Sequence, residues 1–214
     1  MSDTRSEPTA PSAQPGPAAQ PVARKGRPGY DQQAVLDVAV TAFIEFGYDA
    51  TSMGLLATRL GLSKAAIYHH FPAKDQLLAA ALGEALDSLE GVLDEDGATS
   101  GDAAARLSHV IRGAVRVLVQ KLPYVTLLLR VRGNSDVERD ALRRRRDFDA
   151  RVTALVVAAR AEGSLRADID PRVVTRLLFG MINSIVEWYR PGGPESADQL
   201  ADDVLAIALD GLAS

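Results

Sequence analysis

Residues 51–68 read TSMGLLATRLGLSKAAIY, two short helical segments separated by a glycine. Thr51 or Ser52 can cap the first segment and Ser63 the second, because a hydroxyl accepts from the free amides of a helix N-terminus. Gly61 supplies the positive φ that a tight inter-helix turn demands, and Ala57 is small where two helices must approach closely. Leu56, Leu60, Leu62 and Ile67 are spaced to share one core. The pattern predicts a helix-turn-helix, with helices from about residue 52 to Leu60 and over about 64–70. An Ala-xxx-Gly spacing fits any helical hairpin, so the flanking residues have to decide.

Upstream, Val35, Val38, Ala39, Ala42, Phe43 and Phe46 form the i, i+3, i+4, i+7 stripe of one buried helix face, and Gly47 stops that helix. Downstream comes YHHFPAKDQLL at 68–78. This string resembles the signature that follows the recognition helix in TetR-family regulators, and the likeness extends back through Gly47, Tyr48, Thr51 and Ser52. It covers about residues 31–78. It implies an all-α fold, with an N-terminal three-helix DNA-binding domain and a C-terminal helical bundle that binds an effector and dimerises.

The rest of the chain agrees with that class. Leu77, Leu78, Ala81, Leu82, Ala85, Leu86, Leu89 and Leu93 place a fourth helix after Pro72, and 94–101 reads as a loop rich in Gly and Asp. Further helices are expected at about 102–121, 124–132, 136–162, 171–190 and 196–212, punctuated by Pro123, Pro171 and the Pro191–Pro194 turn. No window alternates with period two long enough for a sheet. Residues 1–29, with prolines at 8, 11, 15, 17, 21 and 28, have almost nothing to bury and read as a disordered tail with a basic end. The expected organisation is therefore tail 1–29, DNA-binding domain 30–76, and effector-binding and dimerisation domain 77–214.

Composition bounds the alternatives. The chain has 214 residues, 47% hydrophobic and 24% charged, with a net charge of −4. The absence of cysteine excludes a disulfide scaffold, a thiolate metal site and a cysteine nucleophile. No apolar run approaches the roughly 18–20 residues that span a bilayer, and no secretory h-region is visible, so a cytoplasmic protein is expected. No GxGxxG, GxxxxGK[ST], HExxH or GxSxG occurs, which argues against an enzyme. No cofactor is implied. The adjacent His69 and His70 point about 100° apart on a helix without a third ligand, so no metal site is expected. An architectural DNA binder would not need the long C-terminal helical region.

The resemblance assigns roles. The third helix would enter the major groove of double-stranded operator DNA with Ser63, Lys64, Ala65 and Ala66 toward base edges. Lys64 can donate to guanine, and the alanine methyls suit thymine. Ser52, Tyr68, His69 and Lys74 match phosphate-contacting positions, while Arg24, Lys25 and Arg27 could follow the backbone or enter the minor groove. Residues 1–75 carry seven basic and seven acidic groups, so the motif rather than bulk charge argues for DNA.

An apolar effector pocket is expected from Leu107, Ile111, Val115, Leu128, Phe148, Val152, Phe179 and Asn183, with the fourth helix as the lever toward DNA. The 171–190 helix is apolar on more than one face and the last helix looks like its companion. Together they would make a homodimer interface from Val174, Leu178, Ile182, Ile185, Trp188, Tyr189, Leu200, Val204, Leu205 and Ala208. Arg143–Arg146 reads either as a surface run paired with neighbouring acids or as an anion-binding rim. The string from Trp188 to Gly193 is similar to the penultimate-helix ending of family members that sense acyl-CoA thioesters. A hydrophobic drug-like molecule fits an apolar pocket as well.

Overall fold

The computed structural model describes residues 31–210. Among the described residues ten helices follow one another: α1 (Gln32–Phe46), α2 (Met53–Leu60), α3 (Lys64–His70), α4 (Lys74–Val92), α5 (Asp96–Thr99), α6 (Ala103–Gln120), α7 (Leu122–Arg130), α8 (Asp136–Ala161), α9 (Pro171–Trp188) and α10 (Ala197–Asp210). No strand occurs among the described residues.

Side-chain caps start most of these helices. Asp31 accepts from the amide of Ala34, Ser52 from Leu55, Ser63 from Ala66, Asp102 from Ala105, Ser135 from Glu138 and Asp170 from Arg172, at 2.7–3.2 Å. Each satisfies an amide that the helix cannot. Thr51 is not the cap. It is buried, and its hydroxyl donates to Gly47 O at 2.8 Å and to Ala42 O at 3.3 Å, closing the turn between α1 and α2. Gly61 adopts φ 63°, ψ 30° in the left-handed region, as the tight turn into α3 requires.

Two boundaries differ from the sequence expectation. The 94–101 segment is not all loop, since Asp96–Thr99 winds one helical turn. Helix α7 begins at Leu122, because Pro123 is accommodated in the first turn, where its missing N–H has no partner to lose.

Helices α1–α3 form a small head around Val35, Ala39, Phe43, Leu56, Leu60 and Ile67. Helix α4 leaves the head and runs into the body, packing on α1 near its start and on α6, α7 and α8 along its length. It meets α6 so closely that a Cβ on Gly113 would lie 2.3 Å from Val92 Cγ1. Arg144 of α8 ties α8 to Asp87 and Glu90 of α4, while Arg112 and Arg116 of α6 pair with Asp202 and Asp198 of α10.

Candidate DNA-binding face and effector cavity

On α3, Ile67 is fully buried in the head while Lys64, Ala65, Tyr68 and His69 are exposed on the opposite arc, with Ser63 exposed at its start. Ala66 and His70 sit at the edges, half-buried. The 3.6-residue period puts 64, 65, 68 and 69 on one contiguous face, so the sequence that buries Ile67 also presents this set outward. The Lys64 stem lies across the first turn of α2, where a Cβ on Gly54 would be 3.0 Å from its Cε. Ser52 is exposed and accepts from the Leu55 amide.

Lys74 is placed differently from its expected phosphate contact. Its amine turns inward, donating to Tyr48 O at 2.9 Å and Thr51 O at 3.0 Å, and lies 4.2 Å from the Tyr48 ring centroid. Asp75 takes the Tyr48 hydroxyl, and burial together with that bond pushes the phenol above its ordinary range. The turn from Gly47 to Ser52 is thus clamped from the start of α4. His69 and His70 meet edge to face at 5.5 Å, and the described residues hold no cluster of three or more His or carboxylate side chains suited to a metal. Arg24, Lys25 and Arg27 lie outside the described residues.

The body holds a cavity of about 850 Å³ between α4, α6, α7, α8 and α9. Of the expected pocket residues, Leu128, Phe148, Phe179 and Asn183 line it, and the Phe148 and Phe179 rings meet edge to face at 5.3 Å. Leu107, Ile111, Val115 and Val152 do not. They are fully buried in helix–helix contacts, because the apolar stripe of a helix marks what is buried without saying whether a side chain or a void lies opposite.

The polar side of the cavity was largely missed. Arg145, Arg146, Arg172 and Arg176 all line it, with Asp149 between them. The Thr153–Thr175 hydrogen bond at 3.0 Å and the Phe148–Phe179 contact set α8 and α9 antiparallel, so Arg145 and Arg146 fall at one end and Arg172 and Arg176 at the other. Burial pushes the Arg145 guanidinium below its ordinary range, and its hydrogen bond to Leu128 O is long, at 3.4 Å. Burial also raises the Asp149 carboxyl, against the opposing pull of Arg145 and Arg176. The four consecutive arginines divide their work. Arg143 pairs with Asp140 on the surface and Arg144 grips α4, while Arg145 and Arg146 face the cavity. Arg143 thus follows the reading of a paired surface run, while Arg145 and Arg146 line the cavity.

The expected dimer residues divide similarly. Val174, Leu178, Ile182, Ile185, Tyr189, Leu200, Val204, Leu205 and Ala208 are buried within the chain's own core. Trp188 is half exposed, and the apolar residues that join it at the surface are Val173, Leu177 and Ile207, the last two 65% and 69% exposed. On α9, Val173, Leu177, Ser184 and Trp188 lie on one stripe, adjacent to the cavity-lining stripe of Arg172, Arg176, Phe179 and Asn183.

Residues 35–81 match the family of bacterial regulatory proteins named for tetR, and 100–212 match the tetracyclin repressor-like C-terminal domain. The chain belongs to the TetR family. The HTH-type transcriptional repressor KstR2 of Rhodococcus jostii is 30% identical over 210 residues, 94% of this chain and 98% of that one. SCO3833 of Streptomyces coelicolor, a TetR-family regulator of solved structure, is 55% identical with a TM-score of 0.78, over 84% of this chain and 91% of that one. AibR, solved with isovaleryl coenzyme A and operator DNA, is 23% identical with a TM-score of 0.70, over 82% and 96% of the two chains, and shares the fold. The relatives and both matched families are transcriptional regulators and not enzymes, and the helix-turn-helix is their DNA-binding unit. No helix among the described residues is long and apolar enough to cross a membrane.

Proposed function

We propose that the chain is a homodimeric repressor, working in the cytoplasm, that leaves a palindromic operator when an acyl-CoA thioester fills the cavity. Lys64, Ala65 and Tyr68, exposed on one arc of α3, would meet the major groove, and the dimer two-fold would place two such helices on successive grooves. The dimer would bury the exposed stripe of Val173, Leu177 and Trp188 with Ile207 of α10, since a solvated apolar stripe of this size is the usual mark of an interface. Leu89 and Glu90 carry α4 into the cavity, so α4 remains a lever between ligand and head.

The effector class is carried by one observation. An apolar floor of Leu86, Leu118, Val125, Leu128 and Ile182 meets four guanidiniums, and none of the four forms a salt bridge among the described residues. Arg145 is half-buried, Arg146, Arg172 and Arg176 are exposed at the cavity's edge, and Asp149 is the acid that Arg145 and Arg176 feel, which leaves a net positive rim whose guanidinium groups fork readily onto phosphate oxygens. A ligand with an apolar chain and phosphates matches both the floor and the arginines. A purely apolar drug would make no use of these guanidiniums.

The test is a titration of the chain on DNA from upstream of its own gene at two salt concentrations, repeated with acyl-CoA thioesters of graded chain length and with free fatty acids. Protection of an inverted repeat that is lost on Lys64→Ala and relieved by a thioester supports the proposal. Protection that an uncharged hydrophobic molecule relieves, and no thioester does, would refute the effector assignment.

A further inference from the structure

We infer that α7 is bolted to α1 by a polar node, in which buried Tyr124 meets Gln33 and Asp37 at the surface of α1, and that this node carries movement from the cavity to the DNA-binding head. The inference rests on the effector-gated reading above. Helix α7 is only nine residues long, and it faces two ways. Val125, Leu128 and Leu129 line the cavity. Tyr124, from the same two turns, reaches α1. Its hydroxyl accepts from Gln33 Nε2 at 2.7 Å and donates to Asp37, and Gln33 also donates to Asp37 at 3.0 Å, closing a three-membered ring of hydrogen bonds.

The node extends at both ends. Lys121 pairs with Glu84 of α4 and lies 5.9 Å from the Tyr124 ring centroid. At the other end of α7, Arg130 donates to Ile44 O at 2.7 Å, one of the last carbonyls of α1. Tyr124 and Arg130 are six residues apart, or about 9 Å along a helix, and Asp37 and Ile44 are seven apart, or about 10 Å. The two helices therefore run side by side, fastened at two matched points.

The chemistry makes this fastening directional. Apolar contacts between helices tolerate sliding by a fraction of an ångström, whereas a buried hydroxyl that both accepts and donates does not. Burial and the Asp37 carboxylate hold the Tyr124 phenol above its ordinary range, so it keeps the proton it donates. A ligand that presses on Leu128 or Leu129 cannot move α7 without turning α1, and α1 carries α2 and α3. Helix α4 is also fastened to the head, through Leu77 and Leu78 and through the Lys74 and Asp75 hydrogen bonds to the 47–52 turn, so the Tyr124 node adds a second fastening, from a helix whose next turn lines the cavity.

The test needs neither operator nor effector. The chain has no cysteine, so Thr58→Cys on the head and Ser100→Cys on the body accept two spin labels, and labelled chains diluted in unlabelled ones report one head-to-body distance. Leu129→Trp fills part of the cavity from α7 itself. We expect it to shift the distance by about 2 Å, the scale of an allosteric helix movement. Tyr124→Phe keeps the ring and its packing and removes the hydroxyl; alone it should leave the mean distance in place. Combined with Leu129→Trp it should abolish the shift, and Arg130→Gln should reduce it. If Leu129→Trp leaves the distance unmoved in a folded chain, or moves it equally with and without the Tyr124 hydroxyl, the inference is wrong. Circular dichroism checks folding, and Leu129→Phe replaces the tryptophan should helix be lost. Failure of the repressor reading would appear in the DNA titration and not in this distance.

Discussion

Replacing Lys74 by methionine separates two roles that the sequence alone conflates. The stem is kept and the ammonium is removed. If Lys74 contacts a phosphate, as its position in the motif implies, the variant loses one released counterion per protomer. The slope of log K against log salt should then fall by about 0.9 per site, or about 2 for a dimer. The structure gives a different answer. The ammonium makes two charge-assisted hydrogen bonds to Tyr48 O and Thr51 O, at 2.9 and 3.0 Å, and rests on the Tyr48 ring. Hydrogen bonds to a charged group are worth about 1.5–3 kcal/mol each, and water reaching the half-buried Tyr48 residue recovers part of that, leaving roughly 2–4 kcal/mol. For a chain of this size, that is a fall in Tm of roughly 5–15 °C. Thermal unfolding followed by circular dichroism and operator titrations from low to high salt read the two quantities separately. The expected result is a large drop in Tm with an unchanged salt slope. An unchanged Tm with a slope reduced by about 2 would refute the inward-clamp reasoning.

Glu138 is 7% exposed, and the amides of Arg132, Gly133 and Asn134 all donate to its Oε2 at 2.7–3.0 Å. Burial pushes its carboxyl up, but the three amides, with Arg132's charge, outweigh that and hold it below the ordinary range. A lowered folded-state pKa contributes stability that is present above the unfolded value and lost as pH falls through the folded one. Glu138→Gln should therefore destabilise the chain by about 1–2 kcal/mol at neutral pH and show a shallower acid-side loss, measured by urea unfolding from pH 7 to 3. Arg145→Met should weaken acyl-CoA binding about tenfold by calorimetry without lowering Tm, because it removes a cation that burial already penalises. Leu177→Asp puts a charge on the exposed stripe of α9 and should yield monomers in sedimentation, with operator affinity falling at least about tenfold as the second half-site is lost.

Elements whose signals are local could be read from the chain. Ser63, Gly61 and Ile67 determine α3 through a cap, a left-handed turn and one buried face, and the same period fixes which residues point outward. Lys74 could not be placed that way, because its stem is long enough to reach either solvent or the Tyr48 carbonyl, and only the three-dimensional turn decides. The cavity was half legible for a related reason. Leu107 and Phe148 are both apolar on a helix face, yet one meets another side chain and the other a void. Arg172 and Arg176 gave no signal in the sequence, since a charged residue on a helix is normally solvated. The α9 stripe shows the same limit. Apolar residues around most of a helix indicate burial on two sides, but the inward side had to be separated from the outward one by packing.

The division of labour along Arg143–Arg146 constrains α8 in length as well as composition. Each of these side chains owes its place to an angular position of about 100° relative to the one before it. Inserting or deleting a single residue between Ser135 and Arg143, where the Glu138 carboxylate anchors the start of the helix, would rotate the whole run by that angle. The guanidinium that grips α4 would be exchanged for the one that enters the cavity, and with it every contact along the next five turns. Individual positions on this helix can be altered one at a time, as in Arg145→Met, with a local effect. A change of register has no local form, so the first half of α8 should accept substitutions at its exposed positions, away from Glu138, Ala141, Arg144 and Phe148, and insertions not at all.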